Sequence, residues 1–541
     1  MRNTNEQRRN GRKWWKIVLT IVFILLGIAL YEVLPWSRTM FGKVPFEQVV
    51  FHVVVPLEGT DSSLLKSFLS NLYQDFVIAA GIAVLVFFPE IIQAIYSITE
   101  RLLNKKTERK PLEDTKEKGN GIFHRTLSLV KKCRRWIVHH MLLISFVGLL
   151  AVLSYDVKEF GVITWIKNRM QSSTIYEDYY VSPPEVAITA PAKKKNLILI
   201  TSESLEATYA DKENGGACEE NLIPELTKLA KENIHFSSKD NLQGGMEVIG
   251  TGWTIAALVA NTAGIPLDLP LAEHELNRMK QYLPHVVTLG EILEREGYYN
   301  ELILGSGKSF TGKDKYFTQH GNYEILDFFA AMEQGYVEDS NGFWGMDDAT
   351  VFSIAKEKVS LAAQKDQPFH ILIETVDLHN PTGYVCSQCE STYADSVGGN
   401  LGKYMDIIRC QDRQIAAFVR WCQSQDFYED TVIVIVGDHT SMAPVVEESM
   451  APEGYERTVY NVIINSDVTP ASKENRAFAT MDMFPTILAS IGFQIEGDRL
   501  GIGTNLFSGK MTIAEEIGAQ KFQKEIAKNS KRYNKEIIST K

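Results

Sequence analysis

The stretch that most limits what this chain folds into is Thr431-Val-Ile-Val-Ile-Val436, followed directly by Gly437-Asp438-His439. An unbroken β-branched run reads as a strand buried on both faces, the kind found in the centre of a parallel sheet covered by helices. At its carboxyl end the strand meets a glycine and presents a carboxylate beside an imidazole. Open α/β sheets build their sites at the carboxyl ends of parallel strands. Adjacent Asp and His there are suited to sharing a divalent metal. Alone, the pair reads equally well as a helix-capping acid next to an inert histidine, so the rest of the chain has to supply further ligands and a nucleophile.

A chain of 541 residues exceeds one ordinary core, and its charge is divided unevenly. Residues 1–155 carry 21 Lys/Arg against 12 Asp/Glu, a balance of +9, which leaves −20 for the remainder of a chain whose formal charge is −11. The first part reads as a membrane anchor with about three spans, 17–35, 76–96 and 136–155, each near the ~20 residues that cross a bilayer. Arg8, Arg9, Arg12, Lys13 and Lys16 precede the first span, and a basic connector from Arg101 to Arg135 follows the second. Both are expected on the cytoplasmic side, which places the amino terminus inside and everything after Tyr155 outside. The basic runs are topology signals facing anionic lipid, not nucleic-acid sites. Phe46–Pro56 is too short to span and reads as interfacial or re-entrant.

Residues 156–195, with Pro183, Pro184 and Pro191, read as a linker. Over 196–510, strand-like runs at Leu197–Thr201, Glu301–Leu304, His370–Val376, Thr431–Val436 and Asn461–Ile464 alternate with helical patterns. The expectation is an α/β domain with a largely parallel central sheet flanked by helices. Residues 511–541 are Lys/Glu-rich and read as a tail, either a surface helix or partly disordered. Cys133 falls on the cytoplasmic side as a free thiol, whereas a loop disulfide is expected among Cys386, Cys389 and Cys410 with its pairing open.

Three segments carry chemistry. Asn196-Leu-Ile-Leu-Ile-Thr-Ser202 ends in Glu203-Ser204, so a second carboxylate leaves an apolar strand as Asp438 does. Gly250-Thr251-Gly252-Trp253-Thr254 opens an Ala/Leu/Val run that leads to Gly264-Ile265-Pro266. Backbone N–H groups at such a helix start suit an anion, and a metal is one way to activate a threonine hydroxyl. Either threonine also fits a plain N-cap. Asp377-Leu378-His379-Asn380-Pro381 follows the strand at His370–Val376.

Together these motifs resemble the sulfatase-like domain of lipoteichoic acid synthases, within the alkaline phosphatase superfamily. The membrane phosphoglycerol transferases that decorate periplasmic glucans are most similar, and their loop also reads Gly-Thr-Gly-Trp-Thr. The resemblance extends over most of Asn196–Ser508, including Asp482-Met-Phe-Pro485 and Gly503-Thr-Asn-Leu-Phe-Ser508. It implies one divalent ion, usually manganese with zinc or magnesium as alternatives, held by Glu203, Thr251, Asp438 and His439. It makes Thr251 the nucleophile, preferred over Thr254 for its distance to Gly264, and places Thr254, Trp253, His379 and Lys313 at the substrate. Thr311 and Lys313 stand where lipoteichoic acid synthases carry Trp and Arg. His320 lies nearby and is open between a structural role and a place in the site.

The activity this implies is transfer of glycerophosphate from phosphatidylglycerol, through a covalent threonine, to a cell-envelope glycan or glycolipid. A phosphoethanolamine transferase, a metal-dependent phosphodiesterase or phosphatase, and a non-enzymatic membrane-anchored binding protein are the competing readings. True sulfatase activity is disfavoured because Gly252 and Trp253 replace the Pro and Arg that sulfatases need beside their nucleophile.

Overall fold

A computed structural model describes every residue except 1, 44, 55–65, 83, 85–121, 269–280, 342 and 540–541. The chain forms two compact units, one of Met1–Trp36 with Ser62–Phe160 and one of Ser37–Asp61 with Gly161–Lys541. Helices α1 (Arg2–Phe41), α2 (Phe46–Val54), α3 (Ile122–Glu159) and α4 (Val162–Arg169) come from the amino-terminal third. Among the described residues, two helical stretches are long and apolar enough to cross a membrane, Trp15–Phe41 and Trp136–Glu159, with mean hydropathy 2.7 and 2.1. They contain the expected spans 17–35 and 136–155. Their outward Ile21, Leu25, Leu143 and Val147 are exposed, which suits hydrocarbon and not water. Of the expected span 76–96, residues 76–82 are helical and 85–96 lie outside the described residues.

The second unit is built on a six-stranded sheet. Its strands are β1 (Asn196–Ser202), β2 (Tyr299–Leu304), β3 (Glu324–Leu326), β4 (Phe369–Glu374), β5 (Thr431–Gly437) and β6 (Asn461–Ile464). Their spatial order is β3-β2-β4-β1-β5-β6. All neighbours are parallel except β6, which runs antiparallel to β5. The β-branched run is thus one place from the centre, as its two-sided burial requires.

Alternation along each strand divides the core. Leu197, Leu199, Val432 and Val434 face one apolar cluster, packed by helices α5 (Thr254–Ala263) and Met483–Ser490. Ile198, Ile200, Ile433 and Ile435 face the other, packed by Asp348–Ala362 and Gly399–Gln423. A period of two sends successive side chains to opposite faces, so both layers are filled from the same strands.

The reading of 156–195 as a linker and 511–541 as a tail is corrected. Ile175, Tyr176 and Tyr180 join the same core as Ile513, Phe522, Ile526, Tyr533 and Ile537. The Tyr176 and Tyr533 rings lie 4.7 Å apart, and Ser172 pairs with Asn529. The tail escaped recognition because the helix Ala519–Ile526 buries only Phe522 and Ile526, one turn apart, among charged neighbours.

His370 on β4 gives a pH signature. It is wholly buried, and burial pushes its pKa from 6.5 down to about 4. The folded protein therefore holds it neutral where the unfolded chain protonates it. Its contribution to stability is present in full above pH 6.5 and is lost as pH falls toward 4, by about 3 kcal/mol. Denaturant titrations from pH 7 to 4 should show that slope, and His370→Gln should flatten it.

Candidate active site

The β1–β5 register sets the first two candidate ligands side by side. Ser202 pairs with Gly437, so Glu203 and Asp438 leave the sheet at the same level, and the Asp438 N–H donates to the Ser202 carbonyl at 3.1 Å. A Cβ on Gly437 would meet the Leu205 carbonyl oxygen at 1.8 Å, so only glycine permits this approach. Ser204, at φ 54°, binds both acids: its N–H donates to Asp438 Oδ1 at 2.7 Å and its hydroxyl to Glu203 Oε1 at 2.6 Å.

His439 completes the cluster. Its Nδ1 lies 2.9 Å from the Thr440 carbonyl oxygen, which fixes the proton there and leaves the Nε2 lone pair for a ligand. Nε2 stands 3.2 Å from Asp438 Oδ2 and 3.7 Å from Glu203 Oε1. One donor atom from each of Glu203, Asp438 and His439 lies within 4.8 Å of the others.

The chemistry of this set fits a divalent cation. Asp438 Oδ2 and His439 Nε2 are both buried and neither makes a hydrogen bond. Burial, then the Glu203 charge, push Asp438 up to about 8. Burial disfavours the His439 cation, but the charges of Asp438 and Glu203 outweigh it and hold the imidazole up to about 9. Buried carboxylates that raise one another's proton affinity are relieved by a positive partner, and mixed oxygen and nitrogen donors suit manganese, zinc or magnesium.

The two threonines of this loop are placed differently. Thr251 is wholly buried, and its hydroxyl donates to the Val248 carbonyl at 2.8 Å while accepting the Val248 N–H at 3.0 Å. It closes a turn and is not brought to the acids. Thr254 is the first residue of α5, and its hydroxyl lies 3.5 Å from Glu203 Oε2. The helix begins at Thr254, so the free N–H groups of its first turn gather beside that hydroxyl.

His379, expected at the substrate, is buried near the cluster. Its Nδ1 lies 3.0 Å from the Asn380 carbonyl oxygen, and its ring packs on Trp344 at 4.1 Å between centroids. Burial lowers its pKa more than Glu203 raises it, with His439 and Lys313 adding to the lowering, so the ring stays neutral near pH 7. Lys313 is not a free cation: its ammonium is buried, 2.5 Å from Glu374 Oε1 and 2.9 Å from Ser306 Oγ. Trp253 packs in the apolar core instead of facing a substrate. His320 is structural, with Nδ1 3.0 Å from Glu291 Oε2 and Nε2 2.6 Å from the Tyr282 carbonyl.

Other contributors were not singled out by the sequence reading. Glu247 accepts the Thr440 N–H at 3.0 Å and its hydroxyl at 2.8 Å, holding the residue after His439. Trp344 supplies an aromatic face to His379 and also packs on Phe310, 5.2 Å between centroids. Only the Phe343-Trp344-Gly345 run hinted at it. The expected loop disulfide joins Cys389 to Cys410, with the Cys386 sulfur 3.5 Å from that of Cys389. Cys133 lies where side chains are outside the described residues.

Residues 195–493 match the Sulfatase family. A phosphoglycerol transferase I from Salmonella choleraesuis (strain SC-B67) is 31% identical over 394 residues, 71% of this chain and 48% of its own length. One from Xanthomonas axonopodis pv. citri (strain 306) is 29% identical over 343 residues, 61% of this chain and 47% of its own. The chain thus spans about half the length of the curated relatives it matches. The lipoteichoic acid synthase LtaP of Listeria monocytogenes aligns with a TM-score of 0.47 at 16% identity, covering 62% of this chain and 81% of its own. With the matched region taking in β1 through Phe493, and with Glu203, Thr254, Asp438 and His439 gathered inside it, the chain belongs to the sulfatase family.

Proposed function

We propose that this chain is a membrane-anchored phosphoglycerol transferase. It would take glycerophosphate from phosphatidylglycerol and pass it to a hydroxyl of a cell-envelope glycan or glycolipid. The observation that carries this reading is the Thr254 hydroxyl at the head of α5, 3.5 Å from a Glu203 carboxylate that shares its pocket with Asp438 and His439. The similarity to phosphoglycerol transferases supports the choice of transferred group. Thr254 replaces Thr251 as nucleophile in this proposal, since the Thr251 hydroxyl is committed to Val248.

A divalent ion, manganese by family resemblance, would be held by Glu203, Asp438 and His439 and would supply Lewis-acid activation of the hydroxyl and phosphate. Thr254 Oγ1 attacks phosphorus as its proton passes to His379, the bond to the diacylglycerol oxygen breaks with that oxygen taking the proton from His379, and the first N–H groups of α5 receive the phosphoryl oxygens. His379, neutral with its Nε2 lone pair available, takes the proton of the acceptor hydroxyl as that oxygen displaces Thr254. Lys313, already paired with Glu374, contributes positive field and not a direct phosphate contact. The two half-reactions share one threonyl ester, so kinetics are ping-pong. On this reading the amino terminus is cytoplasmic and the catalytic domain outside, a location in keeping with the Cys389–Cys410 disulfide.

The test is product analysis with phosphatidylglycerol labelled in its terminal glycerol. Diacylglycerol release, with label first on the protein and then on an added glycan acceptor, is the expected outcome. Glycerophosphate appearing in water at a rate indifferent to acceptor would identify a phosphodiesterase instead.

A further inference from the structure

Three sulfurs meet on the loop that follows His379. The Gly383 N–H donates to the His379 carbonyl at 3.0 Å and the Tyr384 N–H to the Asp377 carbonyl at 2.7 Å, and Cys386 comes two residues later. Cys386-Ser-Gln-Cys389 is closed as a turn by the Cys389 N–H, which donates to the Cys386 carbonyl at 3.1 Å. The third sulfur comes from the helix Gly399–Gln423, where Cys410 is bonded to Cys389. The Cys386 thiol sits beside that disulfide, 3.5 Å from the Cys389 sulfur and 3.9 Å from the Cys410 sulfur. Two contacts hold the turn on the helix whichever cysteine carries the bond. Gln414 Nε2 reaches the Cys386 sulfur at 3.4 Å, and Arg413 pairs with Glu390 at 2.8 Å.

A thiolate in this position can displace either sulfur of the disulfide, and exposure decides which. Cys386 and Cys410 are 3% and 2% exposed, whereas Cys389 is half-buried between the exposed Gln388 and Glu390. A thiolate left on Cys410 is stranded away from water, while one left on Cys389 is hydrated. We propose that Cys386, Cys389 and Cys410 form a thiol–disulfide exchange site, in which Cys386 takes over the bond to Cys410 and frees Cys389 for modification by small disulfides. Cys386 loses its proton to solvent, and a turn about its Cα–Cβ bond brings its sulfur behind Cys410 Sγ. The Cys386–Cys410 bond forms as the Cys389–Cys410 bond breaks, and Cys389 departs as thiolate. That thiolate attacks one external disulfide, which leaves a mixed disulfide on Cys389 and releases one external thiolate, protonated from solvent. Burial raises the Cys386 pKa, and the charges of Asp377 and Asp347 add to it against the Gln388 N–H and the Gln414 amide. The resting thiol is therefore protonated, and exchange is slow until base or an external disulfide draws it forward. Transfer of the bond moves the tie between loop and helix three residues nearer to His379. The site is independent of which donor and acceptor the enzyme uses.

The experiment incubates the full-length protein with oxidised glutathione at mildly alkaline pH, quenches in acid, digests with pepsin and maps the linked peptides by mass. Glutathione on Cys389 together with a Cys386–Cys410 bond is the expected result. Glutathione on Cys386 beside an intact Cys389–Cys410 bond, or on none of the three, overturns the proposal. Cys386→Ser removes the attacking sulfur, so labelling of Cys389 should slow by about tenfold or more. Undiminished labelling in that variant means that the bond opens without Cys386, and the proposal fails. Cys389→Ser is the second probe, and it should form the Cys386–Cys410 bond on air oxidation. Two persistent free thiols there show that Cys386 cannot reach Cys410, which also overturns the exchange.

Discussion

Thr254→Ala should abolish transfer, by about 10⁴-fold or more, with the fold intact. Removing a nucleophile deletes the covalent route outright, so the residual rate is that of water reaching a bound phosphate. The fold has little stake in this hydroxyl, whose contact with Glu203 Oε2 is long, at 3.5 Å. Thr251→Ala should behave in the opposite way. It removes both hydrogen bonds to Val248, costing about 1 kcal/mol of stability each, while activity changes by less than tenfold. Intact-mass measurement after incubation with phosphatidylglycerol separates the two: a glycerophosphate adduct should form on wild type and Thr251→Ala and be missing from Thr254→Ala. An adduct that survives in Thr254→Ala but disappears from Thr251→Ala would return the role to Thr251.

Chelation should also silence the enzyme, by about 10³-fold or more, with recovery on adding one equivalent of manganese. The donor set explains the size of the effect. Two buried carboxylates and an imidazole crowd within 4.8 Å, and two of their atoms have no hydrogen-bonding partner. Asp438→Asn is the sharpest probe, because its amide oxygen can still accept the Ser204 and His439 N–H groups that hold Asp438 Oδ1. Shape is kept and one negative charge is lost. Metal affinity, read by calorimetry on the metal-free protein, should fall on the order of 100-fold, with thermal stability in the absence of metal unchanged or raised. Unchanged affinity in Asp438→Asn would remove it from the ligand set.

The sheet was legible because β1, β4 and β5 are continuous apolar runs whose ends carry Glu203, the His379 loop and Asp438. Central parallel strands announce themselves in this way, and the carboxyl-end rule then names the site. The metal trio followed from the same logic. What could not be read was which threonine turns inward. Thr251 and Thr254 sit three residues apart at a helix start, and the choice depends on a turn closed through the Val248 backbone, which leaves no mark in residue type. Lys313 was misjudged for a related reason. Its partner Glu374 is 61 positions away and looked like an ordinary strand terminus. The helix at Ala519–Ile526 was masked by its own charge, since two buried residues among lysines and glutamates give too faint a periodicity.

The pairing of Ser172 with Asn529, and of Tyr176 with Tyr533, has a practical side. The two ends of the stretch 161–541 are sewn to each other, so its natural excision points are not those of the family match at 195 and 493. A soluble fragment trimmed to the match would lay bare the faces that Ile175, Tyr176, Phe522 and Ile526 cover, and would be expected to aggregate. One running from Gly161 to Ile538 would keep both of those pairings.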